Sequence, residues 1–140
     1  ALYPHLTKLF TANLNEFKNQ VNFWAKMLTA TSILLTIVLI IVAQLIPVFY
    51  DQRFLGSVVA LQILSLGMPF FFLSALLWHL LIIYNRQKYL IAIYGLGAAF
   101  NLFANLITIP IYGYLAAATL TVVSEGLIMI LLIIAYRKHD

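Results

Sequence analysis

Apolar residues return along the first thirty positions at helical spacing: Leu6, Phe10, Leu14, Phe17, Val21, Trp24 and Leu28, with Lys8, Asn13, Glu16, Lys18 and Asn19 between them. Steps of three and four place those side chains on one stripe of a helix with a polar back, the pattern of a short amphipathic helix lying in the headgroup plane. Trp24 and Lys26 suit the interface at its end. The pattern then changes, and from about Met27 to Val48 the chain is almost wholly apolar. About 20 such residues cross a hydrocarbon core of ~30 Å as a helix.

Three more apolar stretches follow. With the first they give spans over about 27–48, 57–83, 89–109 and 114–136. Short polar or aromatic segments separate them: FYDQRF at 49–54, YNRQKY at 84–89 and PIYGY at 110–114. The second span is longer than a straight crossing needs and carries Gly67 and Pro69 near its centre, which predicts a kink because proline removes one backbone bond and clashes with the preceding turn. Pro110 and Gly113 predict the last turn. Helix association is expected through small-residue faces, Gly95 with Ala99 and Ala116 to Ala118. The pattern describes an all-α polytopic membrane protein, four transmembrane helices after a short amphipathic cytoplasmic helix, as a single domain over 1–140.

Composition agrees. The chain is 64% hydrophobic and 9% charged, with a mean hydropathy of +1.03, too little polar surface to coat a soluble globule of 140 residues. The net charge of +4 forms no dense run of the kind that grips nucleic acid, and so bears on topology. Lys8, Lys18, Lys26, Arg86, Lys88, Arg137 and Lys138 fall on the N-terminal segment, the 84–89 turn and the C-terminus, against Arg53 alone on the other two turns. The positive-inside rule then puts both ends on the cytoplasmic side, which requires an even number of spans. The first apolar run begins too late for a signal peptide. A start at Ala1, inside an amphipathic pattern, leads us to expect a segment of a longer protein. Without cysteine there is no disulfide framework or thiolate metal site, and no metal or cofactor is expected.

Candidate chemistry is sparse. An ionisable group in hydrocarbon costs roughly 2.5–3.5 kcal/mol on insertion scales and usually turns towards protein or water. Glu125 is the acid in such a position, about 12 residues past Gly113 and so near the bilayer midplane. In an antiparallel hairpin of spans three and four, Asn101 lies at similar depth and Asn105 shares its face one turn further out. Asn101, Asn105, Ser124 and Glu125 together make either a relay for a proton or cation, a contact for a polar headgroup, or interhelical hydrogen bonds that only fix packing. His79, beside Trp78 near the cytoplasmic end of span two, is expected to snorkel or hydrogen bond rather than carry protons. Gln44 and Gln62 are expected to pair across the outer turn or to line a watery cavity. No nucleophile with a nearby base, no HExxH, no phosphate-cradling loop and no paired carboxylates are present, so enzyme activity is not expected.

Three segments carry a family resemblance: ALYPHLTKLF at 1–10, IPVFYDQRF at 46–54 and, above all, NLFANLITIPIYGYLAAATLTVVSEG at 101–126. In these the chain resembles the C-terminal part of polysaccharide-biosynthesis flippases, the Wzx-type O-antigen and related exporters of the multidrug/oligosaccharidyl-lipid/polysaccharide superfamily. Asn101, Asn105, Pro110, Gly113 and Glu125 stand at the matching motif positions. The resemblance implies that the four spans are the last four of a twelve-helix core and belong to the C-lobe of a two-lobed transporter. It further implies alternating access that moves an undecaprenyl-pyrophosphate-linked oligosaccharide across a bacterial or archaeal cytoplasmic membrane, with the N-terminal lobe as partner. Some of these flippases place several cations in the cavity for the pyrophosphate, whereas this segment has none at depth. Two other readings stand beside it: a multidrug or toxin extruder of the same superfamily, and a non-transporting four-helix scaffold in which Glu125 only packs.

Overall fold

Why the amphipathic stripe breaks in two is visible at Asn13. The computed structural model of the chain describes residues 2–138, so Ala1, His139 and Asp140 of the expected domain lie outside it. Helix α1 runs Leu2–Ala12 and α2 runs Leu14–Ala43. Between them Asn13 takes an extended conformation (φ −154°, ψ 102°), and its side-chain oxygen accepts the Glu16 amide at 3.2 Å. That bond satisfies one of the orphan amides of a helix start, so an Asn with Glu three residues on begins a new helix where periodicity alone reads a continuous one. The expected single lateral helix is therefore corrected: residues 14–26 are the first turns of the helix that becomes span one. At 30 residues, α2 is about 45 Å long and overshoots the hydrocarbon.

At the far end of α2 a short helix α3 (Ile46–Phe49) with Pro47 in its first turn leads to Asp51, whose carboxylate accepts the Arg53 amide and lies 3.4 Å from its Nε. Span two is broken as the sequence predicts. Helix α4 (Leu55–Ser65) stops at Leu66, and α5 (Met68–Ile83) restarts with Pro69 in its first turn, where a missing amide costs least. Helix α5 closes with Asn85 at φ +57°, while the Asn85 and Arg86 amides bond the carbonyls of Ile82 and Leu81. This left-handed cap turns the chain into α6.

Helix α6 (Gln87–Tyr112) passes straight through Pro110, so the expected 110–114 turn shrinks to Gly113. Pro110 lies in the last turn, where it forfeits a single bond, and Gly113 (φ +71°) makes the reversal that a residue with a Cβ resists. Helix α7 is Tyr114–Arg137. The α6–α7 seam also differs from expectation. Nothing lies within 4 Å of a Cβ built on Gly95, whereas one on Gly97 would meet Ile128 at 2.6 Å. Two residues are about 200° apart on a helix, so the seam of Ile93, Gly97 and Asn101 turns Gly95 and Ala99 away. Ala118, by contrast, is buried as expected.

Among the described residues, four helical stretches are long and apolar enough to cross a membrane: Leu14–Phe49, Gln52–Ile83, Gln87–Tyr112 and Tyr114–Arg137. Span one packs on span two, span two on span four, and span four on span three. At the end holding both chain termini, Leu6, Phe17, Val21, Leu76 and Leu80 form a closed core flanked by Phe10, Trp24, Tyr84 and Tyr136. Phe10, Phe17 and Tyr84 meet edge-on at centroid distances of 4.9–6.2 Å, a geometry favourable to ring quadrupoles. The outer surface is apolar elsewhere, with Ile91, Ile107 and Ile111 at 77%, 67% and 67% exposure, as a lipid-facing helix requires.

Candidate functional site

Antiparallel packing of α6 and α7 brings the mid-span polar residues together. Asn101 Nδ2 donates to Ser124 Oγ at 3.0 Å, and Ser124 in turn donates to the Thr121 carbonyl at 2.9 Å. Asn105, one turn along α6, donates to the Asn101 carbonyl at 2.8 Å and to its side-chain oxygen at 2.9 Å. Its own Oδ1 is buried without a hydrogen-bond partner among the described residues. Of the predicted cluster of Asn101, Asn105, Ser124 and Glu125, the first three thus form a hydrogen-bonded chain that ties span three to span four.

Glu125 stands beside that chain and outside it. Its carboxylate is half-buried, and among the described residues no hydrogen bond or ion pair reaches it. Two grooves of about 400 Å³ each meet at this position. One runs between α6 and α7 along Gly97, Asn101, Thr121 and Ser124. The other opens towards α5 along Phe71, Ser74, Trp78 and His79. Tyr94 and Glu125 line both. Trp78 and Tyr94 touch edge to face with centroids 5.0 Å apart, joining α5 to α6 beside the apolar cluster in which Leu81 packs with Leu90 and Ile93. Among the described residues no Lys or Arg lines either groove, and the ionisable side chains there are Glu125, Tyr94 and His79.

The secondary candidates separate from this site to different degrees. His79 lies on the second groove, and its Nδ1–H donates to the Ala75 carbonyl at 2.7 Å, the hydrogen-bonded outcome expected for it. Gln44 and Gln62 are not joined by a hydrogen bond among the described residues. Gln44 is exposed at the end of α2, and the polar link between spans one and two forms about two turns deeper, from Thr36 Oγ1 to the Ser65 carbonyl at 2.9 Å. The expected glutamine pair is therefore replaced by a shorter side chain bonding to backbone.

Sequence reasoning left Tyr94, Ser74 and Thr121 unassigned. Tyr94 was within reach of it, because it precedes Asn101 by two helical turns and so shares its face. Ser74 was not: its hydroxyl is buried and without a partner among the described residues, a state visible only once α5 is seated against α7.

No family profile matches the chain, and no solved structure matches it. An uncharacterized membrane protein of Methanocaldococcus jannaschii is 32% identical over 78 residues, a stretch that covers 56% of this chain and 15% of that protein. The matched relative is thus nearly four times as long as the chain. Four apolar helices of crossing length and a membrane-protein relative make this chain a multi-pass helical membrane protein.

Proposed function

We propose that the chain is part of a transporter that flips lipid-linked oligosaccharide across the cytoplasmic membrane by alternating access, with both of its ends on the cytoplasmic side. One observation carries the reading: a carboxylate, Glu125, sits inside a membrane span without a partner among the described residues, at the meeting point of two grooves. A purely structural acid at that depth would be paired or hydrogen bonded, since desolvating an unpaired carboxylate costs several kcal/mol. In this reading Glu125 couples or contacts the cargo, Asn101 and Asn105 hold the seam that positions it, and an N-terminal lobe closes the grooves. The undecaprenyl-pyrophosphate headgroup then finds its cations on that lobe, because these grooves offer none. The length of the archaeal relative supports such a larger protein.

A second reading, a multidrug or toxin extruder, is favoured by one feature: Phe71, Trp78 and Tyr94 surround a lone carboxylate, a setting suited to an organic cation. The experiment is Glu125→Gln in the full-length protein, with lipid-linked glycan on each leaflet and drug sensitivity both measured at matched expression. Glycan held on the inner leaflet supports the flippase, and drug sensitivity alone supports the extruder. Normal performance in both assays removes Glu125 from any transport role.

A further inference from the structure

The break in span two leaves a carbonyl to be satisfied. In an unbroken helix the amide of residue 69 would bond the carbonyl of Ser65, but proline has no amide hydrogen. Ser65 is 0% exposed, so water does not reach its backbone from outside. What reaches it is Thr36 Oγ1 of α2, at 2.9 Å. The same hydroxyl lies 2.9 Å from the carbonyl of Ser32 on its own helix. A hydroxyl has one proton to donate, and the Ser32 carbonyl already has the helical amide of residue 36, so Ser65 is the acceptor in need. The joint around it is tight. A Cβ on Gly67 would meet the Leu64 carbonyl at 3.1 Å, Phe71 at 3.3 Å and Val122 of α7 at 3.4 Å.

We propose that Thr36 is the positioning residue of this bend: its hydroxyl replaces the amide that Pro69 lacks. It thereby sets the direction in which α5 leaves the break, and with it the distance of the α5 groove wall, Ser74 and Trp78, from Glu125. A single interhelical bond from span one thus determines the shape of a groove that span two walls. The proposal concerns the bend and does not rest on what the groove carries.

The chain has no cysteine of its own, so a labelling pair placed in it is unique once any cysteine elsewhere in the full-length protein is replaced. Spin labels on Ala75→Cys, exposed on the α5 groove, and Ala98→Cys, exposed on the α6–α7 groove, report the α5–α6 distance in the full-length protein in bilayer vesicles. Thr36→Val should shift and broaden that distance distribution, and Thr36→Ser, which keeps the hydroxyl, should restore it. Pro69→Ala supplies the missing amide. In that background Thr36→Val should leave the distribution where Pro69→Ala alone puts it. Equal shifts from Thr36→Val in both backgrounds, or none in the native one, would overturn the proposal. Failure of Thr36→Val to accumulate, relieved by Pro69→Ala, supports it, whereas failure in both backgrounds shows that the hydroxyl serves something other than the missing amide.

Discussion

Between spans one and two, Ser32, Thr36 and Ser65 are 0%, 9% and 0% exposed, and each hydroxyl finds a backbone carbonyl, that of Thr36 across the seam at Ser65. Between spans three and four, Asn101, Asn105 and Glu125 stay half-buried and border grooves, and the acid finds no hydrogen-bond partner among the described residues. Both clusters are polar and lie within apolar helices, so polarity in a span does not by itself mark a site. Closure separates them: small hydroxyls that bond backbone carbonyls disappear into packing, whereas the longer side chains of Asn101, Asn105 and Glu125 on the α6–α7 hairpin border open grooves.

Variants can break that contrast, and their effects on stability should fall in order from the closed region to the open one. Phe17→Ala, at 0% exposure in the terminal core, should destabilise most, by about 3–5 kcal/mol in reversible unfolding from bilayers. Gly97→Val drives new methyls into Ile128 and should cost ~1–3 kcal/mol by the same assay while spreading α6 from α7. Asn101→Leu removes the bond to Ser124 and should cost about 0.6 kcal/mol, the average for an interhelical hydrogen bond in lipid, which a double-mutant cycle with Ser124→Ala isolates. Glu125→Gln should move stability least, because no partner is lost, while, on the transporter reading proposed above, lowering transport by the full-length protein. A large stability loss from Glu125→Gln with unchanged transport would make the open region structural like the closed one and end the contrast.

Much of this was legible in the chain. The apolar runs require four crossings because each backbone amide in lipid must be satisfied within its own helix. Gly67 and Pro69 require a break, and the shared level of Asn101 and Glu125 along the α6–α7 hairpin follows from counting residues from Gly113. Boundaries were less legible. Asn13 splits one amphipathic stripe into two helices through a local cap, and Pro110 stays inside α6 because the last turn has little to lose.

Only the tertiary structure decided which faces meet. It selected Gly97 over Gly95 for the α6–α7 seam, placed Tyr94 and Ser74 beside Glu125, and gave the Ser65 carbonyl to Thr36 rather than setting Gln44 against Gln62. The physical reason is that apolarity in a lipid-embedded helix is spread around the whole cylinder. Hydropathy therefore specifies that a helix crosses, while its rotation about its axis depends on close contacts and single hydrogen bonds to particular neighbours.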